Sequence, residues 1–238
     1  MSPTDTLQAA PPREDRATRA YEQLRALIVH GNLAPGTWVI EADVAARLGV
    51  SRTPVRAAIQ RLEQEGYIIG TARGLQYRAA VSPLTREDAR EIFAIVGELE
   101  ALAARNAAGL ATAPRAALVN ELTTLNERMR AASQPRPDQN RLFDADTAFH
   151  LRYVVAGAGS RLLALHQAIK PQAERYIRLY YSALVEEIAI SLEEHEIIID
   201  AIRRGKDEAA QSAVEINWRN AAERLKRVID TVGERGSW

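Results

Sequence analysis

The sequence predicts a mainly α protein in two parts: an N-terminal helix-turn-helix with a trailing β-hairpin, then an all-α helical bundle. Three observations carry this. Ala, Leu, Arg and Glu dominate a chain of 238 residues that is 47% hydrophobic, 26% charged and 5% aromatic, a composition that favours helices. The stretch "VSRTPVRAAIQRLEQEG" (Val50–Gly66) has the start, apolar stripe and stop of one short helix. From Ser82 onward almost every segment keeps helical spacing, broken at "ATAP", "SQPRPD", "AGAGS" and "RRGKD".

Residues 1–12 are Pro-, Ala- and Thr-rich without periodicity and read as a mobile tail. Residues 13–81 form the first domain. Its first helix spans roughly 14–30, with Tyr21, Leu24 and Ile28 on one stripe and Gly31 at its end. "NLAPG" is a turn, and "TWVI" has the character of a short strand. Asp43 to Leu48 is a short helix closed by Gly49. In the next helix Ser51 or Thr53 can cap, Pro54 suits the first turn and Gly66 the position past the end. Val55, Ile59 and Leu62 make its buried stripe, while Arg52, Arg56 and Gln60 are spaced four apart on another face. "YIIG" and "LQYRAAV" read as two strands of a hairpin with Arg73 and Gly74 near its tip. Residues 82–88 serve as linker and helix cap. Residues 89–234 carry the bundle, with helices near 84–109, 113–132, 139–157, 160–184, 187–204 and 207–233.

No apolar run approaches the roughly 20 residues needed to span a bilayer, and there is no secretory leader pattern. Cysteine is absent, which removes disulfides and thiolate chemistry and fits a cytoplasmic protein. Net charge is zero, but unevenly spread: residues 12–80 hold ten Arg against seven acidic residues, and the stretch from Arg47 to Arg78 holds six Arg against Glu63 and Glu65. A basic module on a mildly acidic body is the pattern left by a local phosphate-binding face. An α-helix fits the major groove, where Arg can bond guanine through two donors, and a helix-turn-helix presents the N-terminal end of its second helix to the bases. Here that end carries Ser51, Arg52, Thr53 and Arg56, with Arg73 and Gly74 placed to reach an adjacent groove or backbone.

The bundle offers a second constellation. Asp146 and His150 in "DADTAFH" sit at i and i+4, one above the other on a helix. Around the turn at Gly205, His195 lies ten residues before and Asn217 twelve after, so an antiparallel pair brings both to one height. These four can converge on a cation. Equally, Asp146 and His150 can be a surface pair and His195 a hydrogen-bonded core residue. His30 and His166 have no comparable spacing.

"VSRTPVRAAIQRLEQEG", preceded by "GNLAPGTWVIEADVAARLG" and followed by "ARG", resembles the signature of GntR-type transcription regulators. "EDAREIFAIVGELEALAARNAA", "DADTAFH" and "EEHEIIIDAIRRGKDEAA" resemble motifs of the FadR-like helical effector domain. The resemblance covers nearly everything from Arg16 onward. It implies a winged helix-turn-helix, a homodimer, a palindromic double-stranded operator, and a helical domain that binds a small effector, commonly an organic acid. The mode it implies is repression of a metabolic operon, relieved by ligand. By position, Arg52, Thr53 and Arg56 match the residues that contact DNA, and Gly74 matches the wing tip. Asp146, His150 and His195 match three of the four ligands to a divalent metal, zinc or nickel; Asn217 stands where the family has a third histidine. Two further departures are Ala42, where some members have a DNA-contacting arginine, and Val96, where acid-binding members have an arginine. Arg178, with Tyr176 and Tyr180 on the same helix, is the replacement expected for the effector pocket. Two alternatives stand beside this reading: a two-His-one-carboxylate metalloenzyme, and a DNA-binding regulator with no metal.

Overall fold

The computed structural model describes residues 13–73, 76–184 and 187–236, and the chain divides into two compact units between Pro83 and Leu84. In the first unit, α1 (Arg13–Val29), α2 (Glu41–Leu48) and α3 (Arg52–Gln64) are followed by the antiparallel pair β1 (Ile68–Arg73) and β2 (Gln76–Val81), in register from Ile68 opposite Val81 to Arg73 opposite Gln76. Leu24 and Ile28 of α1, Val55, Ile59 and Leu62 of α3, and Tyr67, Ile68 and Val81 form its core. The apolar stripes of both helices therefore face inward. "TWVI" contributes less than a strand: Trp38 makes a single bridge to Ala80, and the Val39 amide donates to the Ala79 carbonyl at 2.8 Å.

The second unit is a bundle of α4 (Arg86–Ala108), α5 (Thr112–Ser133), α6 (Gln139–Gly157), α7 (Ser160–Leu184), α8 (Ile188–Arg203) and α9 (Asp207–Val232). The Thr85 hydroxyl caps α4 by accepting from the Asp88 amide at 3.2 Å, and the Asp138 carboxylate caps α6 through the Arg141 amide at 3.1 Å, each meeting an otherwise orphaned helix donor. Helix α4 is the central element, packed on α6, α7 and α9. Its fully buried face runs Phe93, Val96, Glu100, Ala104, Ala107, with further alanines at 101, 103 and 108. The small side chains allow close approach: a Cβ built on Gly157 of α6 would lie 2.0 Å from the Ala103 carbonyl oxygen. Gly205, with φ +64, turns α8 into α9 as the spacing around it requires.

Candidate nucleic-acid interface and metal centre

In the first unit the α2–α3 turn is built by Gly49. It sits in the left-handed region (φ 66, ψ 31), and the following Val50 amide bonds back to the Ala45 carbonyl at 3.0 Å, a Schellman closure that only glycine adopts cheaply. This fixes where α3 starts. Ser51 is the N-cap residue, but its side chain makes no capping bond, and the helix begins at Arg52, two residues ahead of Pro54. Freed of capping, Ser51 stays exposed beside exposed Arg52, Thr53 and Arg56. Arg56 is not a bare cation. Its Nε and Nη2 donate to Glu41 Oε1 and Oε2, both at 2.8 Å, across the helix-turn-helix. The hydrogen bonds from Arg56, helped by the charges of Arg56 and Arg52, lower the Glu41 carboxyl's pKa against the burial that would raise it. Sequence spacing missed Glu41, because the pair lies 15 residues apart on two helices. Arg73 ends β1, and Gly74 lies outside the described residues.

In the second unit, α6 places Asp146 and His150, α8 places His195 and α9 places Asn217. One donor atom from each of Asp146, His150 and His195 lies within 4.8 Å of the others. Both imidazoles are oriented from behind. His195 Nδ1 faces the Asn126 Oδ1 at 3.1 Å, and an amide oxygen can only accept, so Nδ1 carries the proton. That leaves His195 Nε2 as a lone pair. It is buried, has no hydrogen-bond partner, and lies 3.6 Å from Asp146 Oδ1. Burial, with His150 and Arg224 nearby, pushes the His195 pKa well below its usual value, so the ring is neutral and suited to ligation. Its face stacks on Phe149, with ring centres 3.9 Å apart. His150 Nδ1 lies 2.6 Å from Glu100 Oε2, which likewise directs its Nε2 outward. An orphaned buried nitrogen beside a carboxylate and a second oriented histidine fits a divalent cation.

Glu100 is the residue that spacing did not assign. It is fully buried and takes five donors: His150, Tyr153 at 2.6 Å and Trp218 at 2.9 Å on one oxygen, and His166 at 2.9 Å and Lys170 at 3.1 Å on the other. Burial alone would raise its pKa, but Lys170 and His150 outweigh that and hold it well below the carboxylate range. The signal was present, since Glu100 falls on the apolar stripe of α4, and His166 and Lys170 fall on that of α7.

Asn217 is buried at the expected height, but its Nδ2 donates to Glu194 Oε2 at 2.8 Å. Only its Oδ1 remains as a possible ligand atom. Glu194 also takes Asn220 at 2.7 Å and both Nη groups of buried Arg224 at 3.1 Å. A cavity of about 70 Å³ opens here, walled by Asp146, His150, Ser191, Asn217 and Arg224 on its polar side and by Ile177 and Tyr181 among its apolar groups. That is room for a few water-sized groups. The expected pocket residues lie elsewhere. Arg178 stacks its guanidinium over Phe143 at 3.8 Å. Tyr176 bonds Asp88 and the Thr85 backbone, and Tyr180 bonds the Gly233 carbonyl at 3.0 Å. The reason is rotation: at 100° per residue, the α7 face meeting the cavity is that of Ile177 and Tyr181, one position on.

Residues 16–74 match the gntR family of bacterial regulatory proteins, and residues 91–219 match the FCD domain. An uncharacterized HTH-type transcriptional regulator from an unstable DNA locus of Streptomyces ambofaciens is 28% identical, over 87% of this chain and 84% of that protein. The gluconate operon transcriptional repressor of Bacillus subtilis (strain 168) is 30% identical, over 80% of this chain and 76% of its own length. Among solved structures, E. coli McbR/YncC superposes with a TM-score of 0.70 at 20% identity, over 89% of this chain and 97% of that one; the likeness is one of fold.

Proposed function

The chain belongs to the GntR family of bacterial regulatory proteins, its second unit an FCD domain, and from that premise we propose a metal-assisted, effector-released repressor of a metabolic operon. It is a ligand-responsive DNA-binding transcription regulator. Its relatives are transcriptional regulators, and the metalloenzyme alternative leaves the exposed arginine edge of α3 without a role. Work on DNA assigns it to the cytoplasm; among the described residues no helix is long and apolar enough to cross a membrane.

In this reading two copies bind a palindromic operator. Arg52, Thr53 and Arg56 enter the major groove with Ser51 on the backbone, and Arg73 and Gly74 act at the wing. A zinc or nickel ion is held by Asp146, His150 and His195. The observation that carries the metal is the buried, unpartnered Nε2 of His195 beside Asp146. When bound, the ion supplies a Lewis-acidic attachment point for an effector carboxylate. The chain's own residues do the rest: Asn126 and Glu100 aim the two imidazoles, and Arg224 and Ser191, already bonded to each other at 3.3 Å, offer cavity-facing donors for an anion. Arg224, rather than Arg178 with Tyr176 and Tyr180, takes the place of the arginine that Val96 replaces. An effector shifts the DNA-binding state only through unequal affinity for the competent and incompetent arrangements.

The test pairs two measurements on the full chain. Duplexes enriched from a randomised pool should share a palindrome, and titrated zinc should bind with one ion per chain. His150→Ala should abolish zinc binding and its thermal stabilisation together. Enrichment of a palindrome with zinc binding unchanged in His150→Ala would keep the regulator and remove the metal.

A further inference from the structure

We propose that Glu41 is a positioning residue for base reading: it grips the side-on edge of the Arg56 guanidinium and leaves the adjacent end-on edge outward for a guanine. The proposal rests on the reading of α3 as the DNA-contacting helix. A guanidinium carries five N–H donors in a rigid plane. Glu41 uses Nε–H and one Nη2–H, each at 2.8 Å. The second Nη2–H and both Nη1–H groups remain; that Nη2–H and one Nη1–H lie side by side along the end-on edge, and the other Nη1–H points back toward Cδ. That edge is one of the two that can span guanine O6 and N7. The Arg56 side chain is 65% exposed, and its remaining donors have no protein partner among the described residues.

The placement follows from the fold. Glu41 opens α2, Arg56 lies in the second turn of α3, and the Gly49 turn sets the two helices so that the carboxylate meets the guanidinium side-on. An ion pair this exposed contributes little to stability. Its consequence is orientation: an unheld arginine spreads over many rotamers, and that freedom must be lost on binding. Glu41 also carries a cost. A carboxylate on an edge facing phosphates weakens association with any DNA. The same residue therefore lowers general affinity and raises discrimination, two effects of opposite sign on two measurable quantities.

The experiment uses the full-length protein, a duplex enriched by the wild type from a randomised pool, and a scrambled duplex of the same composition, both titrated by fluorescence anisotropy at one salt concentration. For Glu41→Gln, affinity for the scrambled duplex should rise and the ratio of enriched to scrambled affinity should fall at least about fivefold. Arg56→Lys keeps the charge and removes both forks, so the ratio should fall similarly. Adding Glu41→Gln to Arg56→Lys should then shift both duplexes alike, with no further loss of ratio. Arg56 is exposed and Glu41 half-buried, and circular dichroism checks that helicity is kept. Equal tightening of both duplexes by Glu41→Gln in the wild-type background would overturn the proposal and leave Glu41 a bystander charge. Failure of the wild type to enrich any duplex would instead remove the DNA reading beneath it.

Discussion

At the residue scale, one carboxylate decides how the interior of the second unit is arranged. Glu100 of α4 holds donors from three other helices on two oxygens: His150 and Tyr153 of α6, His166 and Lys170 of α7, and Trp218 of α9. Glu100→Gln keeps the shape, removes the charge and leaves buried Lys170 without its counter-ion. Breaking a buried pair in this way costs about 3–5 kcal/mol, to be measured by chemical denaturation. Zinc affinity should fall about 10- to 100-fold in calorimetric titration, since His150 loses the acceptor that sets its tautomer. Adding Lys170→Met should recover part of the stability and none of the zinc affinity. Gly157 is a second single-residue determinant. A Cβ there meets the Ala103 oxygen at 2.0 Å and the Ala107 nitrogen at 2.7 Å, backbone atoms of α4 that cannot step aside. Gly157→Ala is expected to destabilise the second unit by about 3 kcal/mol, read as a lower denaturation midpoint.

At the element scale, the α2–turn–α3 unit is held by backbone closure at Gly49 and by contacts from α1. Tyr21 of α1 donates to Glu65 just past α3 at 2.7 Å, and Arg61 lies over its ring at 3.7 Å. Burial first, then the bond to Glu65, raises the Tyr21 pKa from 10.0 to about 12. The folded value exceeds the unfolded one, so the contribution is complete below the unfolded pKa and is lost as pH rises through the folded one. The first unit should weaken between those two values, and Tyr21→Phe should flatten that part of its stability profile in alkaline unfolding curves. These bonds anchor the C-terminal end of the helix whose N-terminal end carries Arg52 and Arg56.

At the scale of the whole molecule, each unit has its own core, one around α1 and α3 and the other around α4. Ligand linkage should therefore be local to the second. Zinc at about 100 times its dissociation constant should stabilise the second unit by about 2.7 kcal/mol, and a chelator should reverse it. Trp218, in edge contact with His150, is the natural reporter; a calorimetric scan in which zinc moves no transition would argue against the site. Much of this architecture was legible along the chain. The helices, the Gly49 and Gly205 turns, the hairpin and the i, i+4 stacking of Asp146 with His150 follow from short-range rules, because helix period, capping and glycine's left-handed backbone act within a few residues; that His195 joins that pair was implied by the family resemblance alone. What tertiary structure alone decided was the partner of each polar group. Glu100 with Lys170, Glu194 with Arg224 and Asn217, and Glu41 with Arg56 join residues on different helices, and the cavity is lined by Arg224 of α9. Such pairings depend on how far each helix is rotated about its axis, and one residue of slip turns a side chain by 100°. Only the packed bundle sets that angle.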